Sequence, residues 1–201
     1  MSKLWYKSFW VFFRIFFTVF YRWEVRGQEH IPERGGTVVC CNHISNLDPP
    51  LLGSAMRRPI RFMAKEELFR IPVFSSLIRK FGAFPVQRGS ADKRALKKAL
   101  SILKQGEVLG VFPEGTRSKT GKLGEAHTGA SFIALKGEAE VVPAAIVGPY
   151  RLFRKVTIIF GPPLDLSEYR GKKWTSQTLK DVTDRIMGEI NTLLGESREL
   201  S

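Results

Sequence analysis

The chain has 201 residues, of which 43% are hydrophobic and 25% are charged, a composition typical of one globular domain. Its formal net charge of +13 indicates an acidic partner, such as nucleic acid, an anionic bilayer or an acidic protein. The only two cysteines, Cys40 and Cys41, are adjacent, which excludes a disulfide scaffold and favours a reducing compartment.

The first predicted element is an aromatic-rich helix within residues 1–23. Basic and hydroxyl side chains recur along it at helical spacing and form one polar stripe, made of Lys3, Lys7, Arg14, Thr18 and Arg22. Arg14 at the centre of a span would cost roughly 2.5–3.5 kcal/mol, so a helix lying in the membrane interface is favoured. A tilted span, a re-entrant hairpin and packing on the protein's own core are the alternatives.

From Glu24 onward, short strand and helix patterns alternate, which predicts one α/β domain over residues 24–201, a sandwich around a largely parallel sheet. The predicted strands begin with one at Val25 and continue at 37–41, 60–64, 83–87, 108–112, 140–147 and 156–160. The predicted helices are 49–56, one or two pieces within 66–80, then 91–105, 127–136 and 175–194. The lysine-rich face of helix 91–105 is either simply solvated or faces an acidic carrier protein or lipid headgroups.

Two residues capable of acid–base chemistry follow the predicted strand 37–41. His43 and Asp48 lie five positions apart among turn-forming residues. A straight helix would place them about 140° apart and a strand on opposite faces, so only a turn lets them meet. A carboxylate hydrogen-bonded to an imidazole fixes its tautomer and stabilises its protonated form, as a general base requires. A capping Asp48 beside an incidental His43 is the alternative.

A second polar turn, Pro113 to Ser118, follows the predicted strand 108–112. It combines a carboxylate, a glycine, two hydroxyls and a guanidinium. A glycine lets the backbone approach a ligand closely, and Arg117 can form a two-pronged contact with a phosphate. The turn therefore predicts an anion-binding site, with an ordinary polar turn as the alternative.

Spacing argues against several other kinds of site. The run from Gly115 to Lys122 has five residues between its glycines where a P-loop has four, and Leu123 follows the lysine. No G-x-S-x-G sequence is present, and the histidines and cysteines have no metal-ligand spacing. We therefore predict no metal and no resident cofactor.

Together the two turns resemble the signature motifs of the glycerolipid acyltransferase family. These motifs are Asn42-His43 followed by Asp48, and the run from Phe112 to Ser118. Two weaker blocks stand in the family's order, one formed by 65–68, 71–72 and 82–88 and the other by 142–144, and the resemblance covers roughly residues 24–165. Residues 126–129, Ala-His-Thr-Gly, depart from the family's frequent Phe-Lys-x-Gly and lack a lysine that would help to hold substrate.

The resemblance implies acyl transfer from a fatty acyl thioester to the 2-hydroxyl of 1-acyl-sn-glycerol-3-phosphate, giving phosphatidate without a covalent enzyme intermediate. His43 would be the general base and Asp48 would orient it. The residues implied for substrate binding are Lys65, Arg88, Glu114, Gly115, Thr116 and Arg117. Gly115 would also let main-chain N–H groups face the thioester carbonyl.

The implied partners are lysophosphatidate, acyl carrier protein or a coenzyme A thioester as donor, and anionic membrane lipids. The expected location is the cytoplasmic face of the cell membrane, peripheral or monotopic. Glycerol-3-phosphate or another lysophospholipid is the alternative acceptor. A non-catalytic basic protein that binds anionic membrane or nucleic acid is the alternative outside enzymes, although no nucleic-acid recognition motif accompanies the charge.

Overall fold

A computed structural model describes residues 3–87, 92–118 and 120–199. The chain forms a seven-stranded sheet with helices on both faces. The strands are β1 (Glu24–Arg26), β2 (Thr37–Cys41), β3 (Ile60–Lys65), β4 (Phe84–Val86), β5 (Val108–Val111), β6 (Glu140–Val147) and β7 (Thr157–Phe160). The helices are α1 (Lys3–Tyr21), α2 (Asp48–Ala55), α3 (Pro72–Lys80), α4 (Lys93–Lys104), α5 (Gly129–Lys136) and α6 (Ser176–Glu199).

The strand order of the sheet is β1-β7-β6-β2-β5-β3-β4. Neighbouring strands are parallel except for β6 and β7, which are antiparallel. The prediction of an α/β sandwich around a largely parallel sheet is therefore confirmed. Because β6, β2, β5, β3 and β4 run in one direction, their carboxyl ends lie at one edge, where ligands bind in such folds.

The central strand β2 supplies both layers of the core. Its five residues are all fully buried, as expected for a parallel strand covered on both faces. Val38 and Cys40 point to the layer containing α4, α5 and α6. Val39 and Cys41 point to the layer containing α1 and α2, because successive side chains of a strand alternate between faces.

Helix α1 packs along one side on the domain's own core, where Phe17 is fully buried. Its side chains also satisfy the C-terminal carbonyls of α2, which have no partner within that helix. Tyr6 donates to the carbonyl of Gly53 (3.4 Å), Arg14 to that of Ser54 (3.2 Å) and Trp10 to that of Met56 (2.9 Å). Gln28, in the loop after β1, donates to the carbonyl of Ala55.

The structure corrects the predicted polar stripe of α1 at one position. Lys7, Thr18 and Arg22 are exposed, but Arg14 turns inward, with its guanidinium over the rings of Trp10 and Trp23. The carbonyls at the end of α2 attract the cation, which the sequence of α1 alone does not reveal.

The division of the chain at residue 23 stays a prediction. Within the described residues, no helix has the length and apolar character needed to cross a bilayer.

Candidate active site

The site begins where β2 ends. Asn42 continues the pairing of β2 with β6 through its side chain, which accepts from the Ile146 N–H (2.7 Å) and donates to the Ile146 carbonyl (3.0 Å). This amide takes the place of a main-chain partner, so the chain can leave the sheet immediately afterwards. The next residue, His43, therefore starts its turn from a fixed position.

The main chain of His43 is held by the turn that follows β5. Its N–H donates to Glu114 Oε1 (2.8 Å), and its carbonyl accepts from the Ser118 N–H (2.7 Å). The second oxygen of Glu114 accepts from the N–H of Gly124 (2.7 Å), and the residue is only 3% exposed. The Glu114 carboxylate thus joins the two motif turns and the loop beyond them, with each oxygen bound to a main-chain N–H.

His43 and Asp48 meet across the turn, as their separation requires. His43 Nδ1 lies 2.6 Å from Asp48 Oδ2, and the same oxygen accepts from the N–H groups of Ile44 (2.6 Å) and Ser45 (2.7 Å). Asp48 is fully buried at the start of α2. An oxygen that already accepts from two main-chain N–H groups also acts as an acceptor toward the ring. Nδ1 therefore carries a hydrogen, and in the neutral tautomer Nε2 carries the lone pair.

Aromatic rings fix the plane of the His43 imidazole. The ring stacks on Phe112, with centroids 4.1 Å apart and planes 17° apart, and Phe112 is in turn nearly parallel to Phe62 (6.1 Å, 9°). A side chain at Gly110 would collide with the Phe62 ring, so the glycine in β5 makes room for this stack. In the part of the chain that the structure describes, Nε2 makes no hydrogen bond, and 11% of the His43 side chain is exposed. The basic nitrogen is therefore available to a ligand approaching from the open side.

The predicted anion-binding turn presents free donors beside this pair. Gly115 has a left-handed φ of +65°, and its own N–H closes the turn on the Phe112 carbonyl (2.9 Å). The N–H groups of Thr116 and Arg117 make no hydrogen bond to any described residue, and both side chains are exposed. The donors that this turn offers to an anion are therefore those that follow Gly115.

Further cations belong to neighbouring strand ends. Lys65, the last residue of β3, is exposed and lies 3.1 Å from Glu67. It pairs with Val86, and continuing the register of β3 with β5 brings it level with Pro113. Arg88, two positions beyond Val86, lies outside the described residues.

One residue of the site was not predicted from the sequence. Tyr150 donates its hydroxyl to Asp48 Oδ1 (2.8 Å) from a loop 102 positions further along the chain. Burial and the adjacent Asp48 carboxylate raise the pKa of Tyr150 well above its usual range, so the hydroxyl remains a donor. The pairing of Asn42 with Ile146 at the end of β6 and the contact of the Tyr150 ring with Tyr21 of α1 (5.8 Å between centroids) place this tyrosine at the dyad.

A buried histidine–aspartate pair with an open Nε2, set at the carboxyl ends of parallel strands, defines an enzyme site suited to general-base catalysis on a hydroxyl group. Comparison with known proteins identifies the family. The model of the Acyltransferase family matches residues 22–147, which is more than half of the chain. The chain belongs to this family, and the resemblance predicted from the two motifs is confirmed.

Three similar proteins are named for acyl transfer to an acylated glycerophosphate. A 1-acyl-sn-glycerol-3-phosphate acyltransferase of Bacillus subtilis is 36% identical over 152 residues, covering 73% of this chain and 75% of that protein. One from Borreliella burgdorferi is 29% identical, covering 84% of this chain and 72% of the relative. The crystal structure of the 1-acyl-sn-glycerophosphate acyltransferase PlsC from Thermotoga maritima superposes with a TM-score of 0.74 at 30% identity, covering 94% of this chain and 79% of that one.

Proposed function

We propose that this acyltransferase moves a fatty acyl group from a thioester to the 2-hydroxyl of 1-acyl-sn-glycerol-3-phosphate, which gives phosphatidate. The observation that carries the proposal is the buried His43–Asp48 pair with an unengaged Nε2, in a chain of the Acyltransferase family. The relatives named for this reaction support the choice of acceptor. Glycerol-3-phosphate or another lysophospholipid is the rival acceptor.

In the proposed reaction, His43 Nε2 removes the proton of the acceptor's 2-hydroxyl while the hydroxyl oxygen attacks the thioester carbonyl. Asp48 stabilises the imidazolium that forms, since its Oδ2 already accepts the Nδ1 hydrogen. The tetrahedral intermediate collapses with cleavage of the carbon–sulfur bond, and the imidazolium returns its proton to the departing thiolate. General-base catalysis of this kind typically contributes about 10²- to 10⁴-fold to the rate. This chemistry needs no metal or resident cofactor.

The acceptor's phosphate is proposed to lie on the turn after β5. Donors come from Arg117 and from the N–H groups of Thr116 and Arg117, which have no partner among the described residues, and Lys65 at the end of β3 adds positive charge. Arg88, outside the described residues, is proposed as a further cation of this site. Gly115 gives this turn its left-handed bend. Glu114 contributes by holding the main chain in place, because its two oxygens accept from the N–H groups of His43 and Gly124.

We place the protein at the membrane, with α1 in contact with anionic lipid. The net charge of +13 and the exposed apolar side of α1 support this placement. The proposed location is the cytoplasmic face of the cell membrane, peripheral or monotopic, in keeping with two free, buried cysteines. The acyl donor is acyl carrier protein or a coenzyme A thioester, and no nucleic-acid partner is proposed.

The test compares the wild type with His43→Ala, using lysophosphatidate, an acyl thioester and lipid. Thiol release and phosphatidate formation are followed together, first with an acyl carrier protein thioester and then with a coenzyme A thioester. We expect phosphatidate from the wild type and none above background from His43→Ala. His30→Ala is a matched control, since it removes an imidazole that contacts the Phe160 carbonyl in a different part of the sheet. That control is expected to retain turnover.

The other outcomes identify what is wrong. Thiol release without phosphatidate points to a different acceptor, which glycerol-3-phosphate and other lysophospholipids then test. Full activity in a folded His43→Ala protein removes His43 as the base. Neither product from either donor overturns the enzyme proposal and favours a non-catalytic protein that binds anionic membranes.

A further inference from the structure

Exposed apolar side chains are confined to three segments of the described chain. Every large hydrophobic residue that is exposed there lies in α1, in residues 68–77 or at residues 152–153. Val73 is 84% exposed, Leu152 61%, and Phe12 and Phe153 are each 60% exposed. Scattered apolar residues on a protein surface need no explanation, but contiguous ones mark an interaction site.

The three segments are contiguous through α1. The Lys80 ammonium lies 4.5 Å from the centre of the Trp5 ring, and the ring of Phe81 is 3.6 Å from that of Phe9. At the other end of the helix, Phe153 lies 6.5 Å from Phe20. Spacings of 4 and 11 residues place Trp5, Phe9 and Phe20 on one stripe of the helix. Helix α3 and residues 152–153 therefore border the same flank of α1, at opposite ends of a helix roughly 28 Å long.

Residues 151–155 are fixed to α1 and hold an aromatic ring outward. The Phe153 N–H donates to the Phe20 carbonyl (2.7 Å), and the Val156 N–H donates to the Tyr21 carbonyl (3.2 Å). Phe153 also has a left-handed φ of +62°, a conformation that is unfavourable for a bulky residue. The fold thus holds Phe153 in an unfavourable backbone conformation with its ring exposed.

Exposed cations accompany the apolar side chains of these segments. They include Lys7, Arg22, Arg70, Arg79, Lys80 and Arg154. An apolar surface with aromatic rings and bordering Lys and Arg side chains suits the interface of an anionic bilayer. A protein–protein interface has instead a core depleted of charge, and Lys in particular is rare there.

We infer that α1, residues 68–80 and residues 151–155 form one bilayer-binding surface, occupied by the headgroup layer of an anionic leaflet. This inference rests on the proposed function, and it extends membrane contact from one helix to three elements. The surface lies in the same layer as the dyad, because Phe62, Phe112 and Tyr150 pack against the cluster that contains Phe17. An acceptor embedded in the leaflet would therefore approach the layer of the fold that holds His43.

The direct test places an environment-sensitive NBD fluorophore on the surface. Cys40 and Cys41 are fully buried, so a cysteine introduced by Phe153→Cys or Val73→Cys is the one that reacts. Vesicles of phosphatidylcholine with 30% phosphatidylglycerol are added, and pure phosphatidylcholine vesicles serve for comparison. We expect a blue shift and a several-fold rise in emission at both positions with the anionic vesicles. Glu189→Cys on α6 is the matched control, because it is exposed in the opposite layer, and its emission is expected not to change.

A second measurement uses unlabelled variants and vesicle sedimentation. Leu152→Ser combined with Phe153→Ser is expected to weaken binding to the anionic vesicles at least tenfold, and Val73→Ser with Leu77→Ser to do the same. Lys172→Ser with Lys173→Ser is the control, since it removes two exposed charges from the loop before α6. That control is expected to bind within twofold of the wild type.

The outcomes keep this inference separate from the proposed reaction. Unshifted fluorophores at residues 73 and 153, together with unchanged affinity of both serine pairs, would show that only α1 contacts lipid and would overturn the inference. A change in self-association by the serine pairs without a change in vesicle binding would assign the surface to a second copy of the chain. Turnover with detergent-dispersed substrates is expected to survive in the serine pairs, whereas turnover on vesicle-borne substrate falls. Absence of turnover in the wild type would overturn the reaction and leave the binding result standing.

Discussion

The fully buried Asp48 carboxylate accepts four hydrogen bonds from described residues, and only one of them comes from the His43 imidazole. Three of the donors belong to residues 43–45, within the turn. The fourth, Tyr150, is the only side-chain donor besides His43, and it lies outside the turn. We therefore expect Tyr150 to be a positioning residue whose contribution can be measured separately from that of His43.

Tyr150→Phe retains the ring and leaves Asp48 Oδ1 buried without its donor. We expect the free energy of unfolding to fall by about 1–3 kcal/mol, the usual cost of an unsatisfied buried group. We also expect kcat to fall about tenfold with little change in KM for either substrate, because the hydroxyl touches only the aspartate. Steady-state kinetics in mixed micelles and urea unfolding measure the two effects. A variant that is destabilised but has wild-type kcat would show that the hydroxyl is structural only.

Glu114 and Arg117 stand three positions apart and are expected to behave differently. Glu114→Gln replaces one acceptor oxygen by an NH₂ group, so either His43 N–H or Gly124 N–H loses its partner. We expect a lower melting temperature and a fall in kcat that exceeds any rise in acceptor KM. If acceptor KM rises while kcat is preserved, Glu114 contacts substrate, as its place in the motif predicts.

Arg117→Ala removes an exposed guanidinium, and among the described residues this guanidinium makes no hydrogen bond or ion pair with Glu114 or the main chain that Glu114 holds. A charged hydrogen bond is worth about 1.5–3 kcal/mol, so acceptor KM is expected to rise roughly 10- to 100-fold at nearly unchanged stability. Kinetics with the donor saturating and the acceptor varied provide the measurement. An unchanged acceptor KM would refute the phosphate-binding role.

Among the elements, those defined by local pattern were predicted and those defined by distant contacts were not. The run from Thr37 to Cys41 is apolar throughout, so its place in the sheet was predictable, and the turn after it dictated the meeting of His43 with Asp48. Arg14 was expected in the polar stripe because its preference for α2 depends on carbonyls some 40 positions away. The contact of Tyr150 with Asp48 likewise joins residues 102 positions apart, so no local pattern predicts it.

The contact between α1 and α2 makes a measurable contribution to stability. Trp10→Phe removes the indole donor to the Met56 carbonyl, and we expect a loss of about 1–2 kcal/mol in the free energy of unfolding. Trp5→Phe is the matched control, since Trp5 is 55% exposed, and its effect in solution is expected to stay within about 0.5 kcal/mol. Equal effects would show that the capping bond carries no net free energy.

Deletion of residues 1–23 is expected to expose the core of the domain, and not simply to release an intact domain from the membrane. The deletion removes Phe17 and Tyr21 from the cluster that includes Leu51 and Ile158. Thermal unfolding of the truncated chain is expected to begin at a much lower temperature than in the full chain. A truncated protein with native-like stability would support a boundary at residue 23.

For the whole molecule, buried weak acids predict a loss of stability at alkaline pH. Burial raises the pKa of Cys40 to about 12 and that of Cys41 well above its usual range, and it also raises the pKa of Tyr6. In the unfolded chain these groups lose protons between about pH 8.5 and 10, so the unfolded state then binds fewer protons than the folded one. Their contribution is therefore complete below about pH 8 and declines as the pH rises, by up to about 1.4 kcal/mol per group and pH unit.

Urea unfolding at pH 8, 9 and 10 tests this expectation with the wild type and Cys40→Ala. The variant is less stable at pH 8 because it leaves a small cavity, but it is expected to lose less stability between pH 8 and 10. Identical losses in the two proteins would mean that the Cys40 thiol is not responsible.

The capping of α2 by α1 has a consequence for the order of synthesis. The hydrogen bond from Tyr6 to Gly53 cannot form until Gly53 is synthesised, 47 residues after Tyr6. At about 5–20 residues per second, that delay is roughly 2–10 s. The carbonyl of Phe20 lacks its donor for longer still, until Phe153 has left the ribosome. Throughout this interval the aromatic rings of α1 lack their partners from later elements, such as Leu51 and Ile158, and a nearby bilayer could cover them instead. With α1 on lipid, as proposed, we expect the nascent chain to bind the bilayer before its domain closes, so that the enzyme would assemble on a membrane surface rather than be delivered to it.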